Sequence, residues 1–445
     1  MTLSSLLAGS LAAASSLVPS IPVEQYRLEN GMAVLLSEDH RLPVVAVEVR
    51  YLVGSSHERP GRTGFAHLFE HLMFQGSKSH DADYFRPFEP IGGAINGSTN
   101  TDRTNYYERV PKSHLELALW MESDRMESLL PALTQKKLDN QRSVVLNERR
   151  QHYENPPYSK AWQALSEALY PPSHPYRHLT IGYAQDIEAA NLEDVNAFFR
   201  QFYVPSNAVL TVVGDFEPDR VRSLVDQYFG HIPSGQRALV PRATMPIVAG
   251  SQPVTLTDRV HLPRIYLAWH TPALYEAGDA ELDLWASILS HGKSSRLYEQ
   301  LVYRERVAKD VAAYQASQRL SSYFVIQATA APGKTLAELE RSLLASLKQA
   351  LASVPTAAEL QAAINHYRKG FFAGIESVVS RSNTLGTYYQ FTGTGDYLAQ
   401  DLARYLHASS AGVHHTARQW LAVDRLVRVN VVPERAHTST EAAAP

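Results

Sequence analysis

Five consecutive residues place three reactive side chains within about one helical turn. They read His67-Leu68-Phe69-Glu70-His71. On an α-helix His67 and His71 are four residues apart on one face, and Glu70 lies beside them. Two imidazoles and a carboxylate on one face are the start of a zinc site that turns a water molecule into a nucleophile. The order H-x-x-E-H inverts the commoner H-E-x-x-H.

The residues around this motif are apolar, which predicts a largely buried helix. Burying two imidazoles and a carboxylate is costly unless a partner compensates them, and a metal ion would be such a partner. The alternative is a chance arrangement of surface or satisfied core side chains. The apolar neighbours are Phe65, Leu68, Phe69, Leu72, Met73 and Phe74.

A catalytic zinc ion keeps three protein ligands, so a third ligand is needed. The best candidate is Glu148, near the end of a segment from about 133 to 153 that is predicted to be helical. Considered alone, Glu148 fits better as a solvated surface residue paired with Arg149 or Arg150. The apolar stripe of this helix consists of Leu138, Val144 and Val145.

Nearly the whole chain resembles the M16 metallopeptidases, also called inverzincins, and in particular the shorter members that include mitochondrial processing peptidase. In that family a Glu about 77 residues beyond the second His completes the zinc site, and here His71 and Glu148 have that spacing. The matching segments are 64–77, 92–99, 104–107, 145–150, 174–176, 203–210 and 294–298.

The resemblance implies one Zn²⁺ per chain, held by His67, His71 and Glu148, with Glu70 as the general base of a peptide hydrolysis. Gln141 stands where some relatives have a Glu that supports the site. An amide keeps the hydrogen bonding but loses the charge. We therefore expect Gln141 to be an auxiliary residue that tunes the site.

The segment from Ala94 to Val110 is predicted to be a strand and its approach. In the family this strand runs beside the metal helix, and its free edge pairs with an extended substrate. Asn96 and Gly97 match positions that contact substrate backbone, although relatives usually have Ala in place of Gly97. The alternative is an ordinary edge strand.

Length and composition indicate a globular protein of two domains. The chain has 445 residues, 44% apolar content and a net charge of −3, which gives no electrostatic case for nucleic acid or an anionic membrane. No apolar run is long enough to span a bilayer. Cysteine is absent, so any metal ligands must be nitrogen and oxygen donors.

The two halves of the chain echo each other. When Gly76 is aligned with Gly292, the positions of His67, Glu70 and His71 correspond to Asp283, Ala286 and Ser287, in that order. We predict an α+β fold of two homologous α/β sandwich domains. The resemblance to the M16 family implies that the two domains enclose a chamber. The predicted parts are a signal-like or N-terminal segment (1–21), a zinc-binding domain (22–232), a linker (233–252), a metal-free domain (253–434) and a C-terminal tail (435–445).

One expected feature of the second half is missing. Many relatives carry an Arg and a Tyr, seven residues apart, that help to bind substrate, and here those positions are Val302 and Lys309. Neither side chain can replace its counterpart. We therefore expect a homologous M16 subunit to supply the pair in a heterodimer; the alternative is a chain that never used it.

Two questions remain open at the level of sequence. The function can be that of a zinc endopeptidase, of a non-catalytic scaffold that binds extended peptide, or of a peptidase dedicated to one precursor. The apolar stretch from Leu6 to Val18 resembles part of an export signal, yet the first basic residue is Arg27. We favour a periplasmic or otherwise exported protein over a cytoplasmic one.

Overall fold

The structure, a computed structural model, describes residues 21–246 and 252–434. The predicted C-terminal tail and all but one residue of the predicted signal-like segment lie outside these ranges, as does part of the predicted linker. Of the helices in the described ranges, none combines the length and the apolarity needed to cross a membrane.

The first half forms a six-stranded mixed sheet. Its strands are β1 (Glu24–Arg27), β2 (Ala33–Glu38), β3 (Val44–Tyr51), β4 (Ala94–Thr99), β5 (Thr104–Pro111) and β6 (Ala208–Gly214). They lie in the order β1-β2-β6-β3-β5-β4, which leaves β4 at one edge. Every residue of β6 is buried, as expected of a strand covered on both faces.

Apart from α4, the α-helices of the first half share one hydrophobic core on one face of this sheet. They are α1 (Phe65–Leu72), α2 (Leu115–Ala132), α3 (Gln135–Arg149), α4 (Lys160–Leu169), α5 (Ala184–Glu188), α6 (Leu192–Phe202) and α7 (Pro218–Phe229). The helix α3 continues into a π-helical turn over Arg150–Glu154. Such turns often mark functional sites.

The second half repeats the plan with a five-stranded sheet in the order β7-β11-β8-β10-β9. Its strands are β7 (Val254–Asp258), β8 (Arg264–Thr271), β9 (Ala308–Ala316), β10 (Ser322–Ala330) and β11 (Val427–Pro433). Its α-helices are α8 (Asp279–Ser290), α9 (Leu336–Ala352), α10 (Ala357–Glu376), α11 (Val378–Thr392), α12 (Leu398–Leu406) and α13 (Ser410–Trp420).

Each half gives one helix to the sheet of the other. The helix α4 packs on β7, β8 and β11 of the second sheet, and α11 packs on β3, β5 and β6 of the first. Leu165 thus lies in a buried cluster with Tyr266, while Leu385 lies in one with Leu35 and Val209. The predicted α+β fold of two similar units is confirmed, but the two units interlock in space.

Two details differ from the sequence prediction. The segment predicted as one strand from Ala94 to Val110 is a hairpin of β4 and β5, turned at residues 100–103. Val144, assigned to the apolar stripe of α3, is 39% exposed because this helix buries only a narrow face. The domain boundaries stay a prediction.

Candidate metal centre

The helix α1 presents both imidazoles of the motif. It starts after Gly64, whose φ of 84° is in the left-handed region. Its apolar side is buried in the hydrophobic core of the first half. The ring centroids of His67 and His71 are 4.9 Å apart, with an angle of 76° between the ring planes. The two imidazoles therefore face one point from different directions.

The helix α3 brings Glu148 to that point. Its Oε1 lies 3.6 Å from His67 Nε2, and its Oε2 lies 3.3 Å from His71 Nε2. The alternative pairing with the following arginines does not occur. Arg149 donates to the backbone of Gly182, and Arg150 donates to the side chain of Asn147.

The donor set and its spacing fit zinc. Ligands about 2.0–2.2 Å from a tetrahedral zinc ion lie roughly 3.3 Å from one another. Here one ligand atom from each of His67, His71 and Glu148 lies within 4.8 Å of the other two. In the described ranges this is the one group of three or more His, Asp or Glu residues with such spacing.

The electrostatics of the group also suit a metal. Burial lowers the pKa of His67 to about 4, so this imidazole is neutral at physiological pH, as a ligand must be. The hydrogen bond from His71 lowers the pKa of Glu148 and keeps that carboxylate charged. Within the described residues His67 Nδ1 is buried without a hydrogen-bond partner.

Glu70 points from α1 toward the edge strand. Its Oε2 accepts a hydrogen bond of 2.7 Å from Thr99 Oγ1. Burial raises the pKa of Glu70, and the bond from Thr99 opposes that rise. Sequence reasoning missed Thr99, although its position two residues after Gly97 on a strand would have placed both on one face.

The edge strand β4 runs beside α1 and carries the two predicted substrate contacts. The exposed side chain of Asn96 accepts a hydrogen bond of 2.8 Å from the backbone N–H of Gly97. Gly97 is buried, and a Cβ there would lie 3.1 Å from Glu70 Cγ. The glycine thus lets Glu70 lie close against the strand.

The remaining predicted residues occupy different surroundings. Gln141 is buried on α3, two turns before Glu148. Val302 packs against the second core, and Lys309 is exposed at the start of β9. Sequence reasoning also missed His152, whose Nδ1 lies 3.8 Å from Glu148 Oε1 and which the four-residue spacing could have indicated.

The equivalent place in the second half is an open cleft. It lies between α8, β9 and α10, as the first site lies between α1, β4 and α3, and its volume is about 540 Å³. Asp283, Ala286 and Ser287 line it. These three side chains offer one carboxylate and no imidazole, and the two imidazoles at the cleft come from His291 and His366.

Two family models match consecutive parts of the chain. The model for insulinase, peptidase family M16, covers residues 33–179. The model for the peptidase M16 inactive domain covers residues 189–367. The first range contains the whole candidate metal centre, and the second contains most of the residues that line the cleft.

Two proteins of similar sequence are named as zinc proteases. The chain is 29% identical to the zinc protease PqqE of Helicobacter pylori over 405 residues, which cover 90% of this chain and 88% of that protein. It is 23% identical to the uncharacterized zinc protease YmxG of Bacillus subtilis over 409 residues, which cover 90% of this chain and 96% of that one.

Solved structures share the fold. A protease from Helicobacter pylori superposes with a TM-score of 0.86 at 26% identity, covering 93% of this chain and 100% of that one. The periplasmic protease PqqL of Escherichia coli gives a TM-score of 0.76 at 17% identity, covering 92% of this chain and 47% of that one.

Proposed function

Since the chain belongs to the M16 family of zinc proteases, we propose that it is a zinc-dependent endopeptidase that hydrolyses peptides or unfolded segments. The observation that carries the proposal is the convergence of His67, His71 and Glu148, with Glu70 beside them. A scaffold that only bound peptide would have no need of this set.

In the proposed reaction Glu70 is the residue of the chain that moves the proton. A bound zinc ion would make a water molecule more acidic and polarise the peptide carbonyl. Glu70 takes the proton from the attacking water and returns it to the leaving amine. Its raised pKa suits both tasks, because a general base works best when its pKa approaches the working pH.

The substrate strand would pair with the free edge of β4. A carbonyl of the substrate backbone would take the place of Asn96 Oδ1 as the acceptor of the Gly97 N–H. Gly97 itself lies against Glu70. Pairing through backbone tolerates many sequences, so it fits a peptidase of broad preference. A peptidase dedicated to one precursor would need side-chain pockets along the same strand.

A second candidate function is that of a peptide-binding scaffold. It is favoured by Val302 and Lys309, which stand where relatives have their Arg and Tyr. Because this chain lacks that Arg and Tyr, we also propose that a homologous subunit supplies them and completes the active centre. The chain spans 47% of PqqL, so that protein has room for a second unit of this size.

We further propose that the protein is exported. PqqL is described as periplasmic, and the apolar stretch near the N-terminus of this chain is compatible with an export signal. Fractionation of cells that produce the full chain tests this proposal. Recovery in the cytoplasmic fraction alone would contradict it.

The decisive experiment for the peptidase compares Glu70→Gln with the wild-type chain. We expect the variant to keep one zinc ion per chain, because Glu70 is not a ligand, and to lose peptide cleavage by at least about 100-fold. Elemental analysis and a quenched-fluorescence peptide assay measure the two quantities. Glu188→Gln, at an exposed position, is the matched control.

Normal cleavage by Glu70→Gln would contradict the assignment of the base. Zinc binding by the wild-type chain without cleavage, even with its partner present, would favour the scaffold.

A further inference from the structure

The N-terminus of the metal helix α1 contacts the loop before α5 through two glycines. Gly64 ends the loop before α1, and Gly182, with φ of 72°, lies in the loop before α5. A Cβ on Gly182 would collide with the backbone nitrogen of Gly64. The loop therefore rests directly on the N-terminus of the metal helix.

Glu58 fixes one side of this contact. Its side chain is 0% exposed, and its two carboxylate oxygens accept bonds of 2.8 Å from Gly64 N and 2.7 Å from Ala66 N. A side-chain oxygen at a helix N-terminus satisfies N–H groups that have no partner within the helix. Ala66 directly precedes His67, so this bond fixes the backbone that carries the first ligand.

Arg149 fixes the other side. It directly follows Glu148 and is buried, and its guanidinium donates to the carbonyl of Gly182. It also donates to Glu154 Oε1 at 2.9 Å and to Gln163 Oε1 at 2.8 Å. One planar group thus ties the end of α3 to the loop on Gly64, to the π-helical turn and to α4.

We propose that Glu58 and Arg149 form a clasp around the contact of Gly64 and Gly182, and that this clasp sets the distance from His67 and His71 to Glu148 before zinc binds. The inference rests on the proposed function, since it concerns the same metal centre. Both are positioning residues, and neither side chain is among the metal ligands.

The geometry requires a guanidinium rather than any cation. The three acceptors of Arg149 lie on three different elements, and a fixed fork of N–H donors can hold them together. A lysine ammonium is a single point charge and would leave some of these three acceptors without the partner that Arg149 gives them. Arg149→Lys therefore keeps the charge while it opens the clasp.

The test measures zinc affinity by competition with a chelator in the full chain. We expect Arg149→Lys and Glu58→Gln to weaken zinc binding by about 10- to 100-fold, the range seen when outer-shell partners of metal ligands are lost. Arg142→Lys is the matched control, because Arg142 lies on the same helix and donates to the carbonyls of Glu188 and Ala190. Its zinc affinity should equal that of the wild type.

Thermal unfolding with and without zinc separates positioning from simple stabilisation. If the clasp positions the ligands, the rise in melting temperature on adding zinc shrinks in both variants. An equal fall in melting temperature with and without zinc, at unchanged affinity, would overturn the proposal. Gln163→Leu, which removes one acceptor at a half-buried position, gives the same test if Arg149→Lys does not fold.

The outcomes also separate this inference from the peptidase. Zinc affinity that is insensitive to both variants, in a chain that cleaves peptide, overturns the clasp alone. If the two variants bind zinc more weakly and the wild-type chain cleaves no peptide, the result supports the clasp and counts against the peptidase. A wild-type chain that binds no zinc overturns both.

Discussion

At the scale of single residues, the orientation of Glu70 depends on one hydroxyl group. Thr99 donates to Glu70 Oε2 from the strand on which the proposed substrate would lie. A hydrogen bond to a charged group contributes about 1.5–3 kcal/mol, enough to select one position of the carboxylate. The proposed substrate strand and the proposed general base would thus be aligned by the same element.

We expect Thr99→Val to lower kcat for peptide cleavage about tenfold and to leave zinc content unchanged. Valine has a similar shape but donates no hydrogen bond, so the pKa of Glu70 rises further. The acid limb of the pH–rate profile should therefore move to higher pH. Stopped peptide assays across the acid limb measure both effects.

Thr99→Ser is the control for this prediction, because it restores the hydroxyl and should restore the profile. A valine variant with the wild-type acid limb would show that Thr99 does not act on Glu70.

At the same scale, the motif residues could be predicted from sequence, whereas their supports could not. His67 and His71 lie on one short helix, so local periodicity places them together. Glu148 was assigned only through the family spacing, since its own surroundings favoured a surface residue. Glu58 and Arg149 act through loop contacts far apart in the chain, which no local pattern encodes.

At the scale of elements, the cover of the first sheet depends on close packing of α11. Gly386 on this helix faces Arg50, and a Cβ would lie 3.0 Å from Arg50 Nε and 3.4 Å from Glu48 Oε1. The Arg50 guanidinium is buried and also donates to Asn383 and Gln390. The glycine lets the helix approach this polar network.

We expect Gly386→Leu to lower the free energy of unfolding by about 1–3 kcal/mol, because the larger side chain pushes α11 away from the sheet. Gly370→Leu on α10 is the matched control, since beyond its chain neighbours and its own helix backbone no atom lies within 4 Å of a Cβ there. It should be neutral or stabilising by up to about 1 kcal/mol through helix propensity. Urea denaturation of both variants measures the difference, and equal midpoints would contradict the packing argument.

The position of α4 and α11 on the sheet of the opposite half is a feature of the fold that the sequence does not predict. The apolar faces of α4 and α11 indicate burial, and their residues lie in buried clusters. An apolar face does not specify which of two similar sheets will cover it. The duplication was therefore visible in the sequence, and the exchange of helices was not.

At the scale of the whole molecule, the proposed partner can be tested by activity. The purified chain alone should cleave peptides slowly, since Val302 and Lys309 cannot replace the expected Arg and Tyr. Adding the homologous subunit from the native source should raise the rate at least about tenfold. Full activity of the chain alone, without gain from any partner, would rule out the heterodimer.

The exchange of α4 and α11 has a further consequence, for synthesis on the ribosome. The last strand of the first sheet ends at Gly214, but the helix that covers its second face begins at Val378, 164 residues later. At about 5–20 residues per second this interval lasts roughly 10–30 s. During that time Leu35 and Val209 belong to an uncovered apolar face, so we expect the nascent chain to depend on chaperones until its second half has emerged.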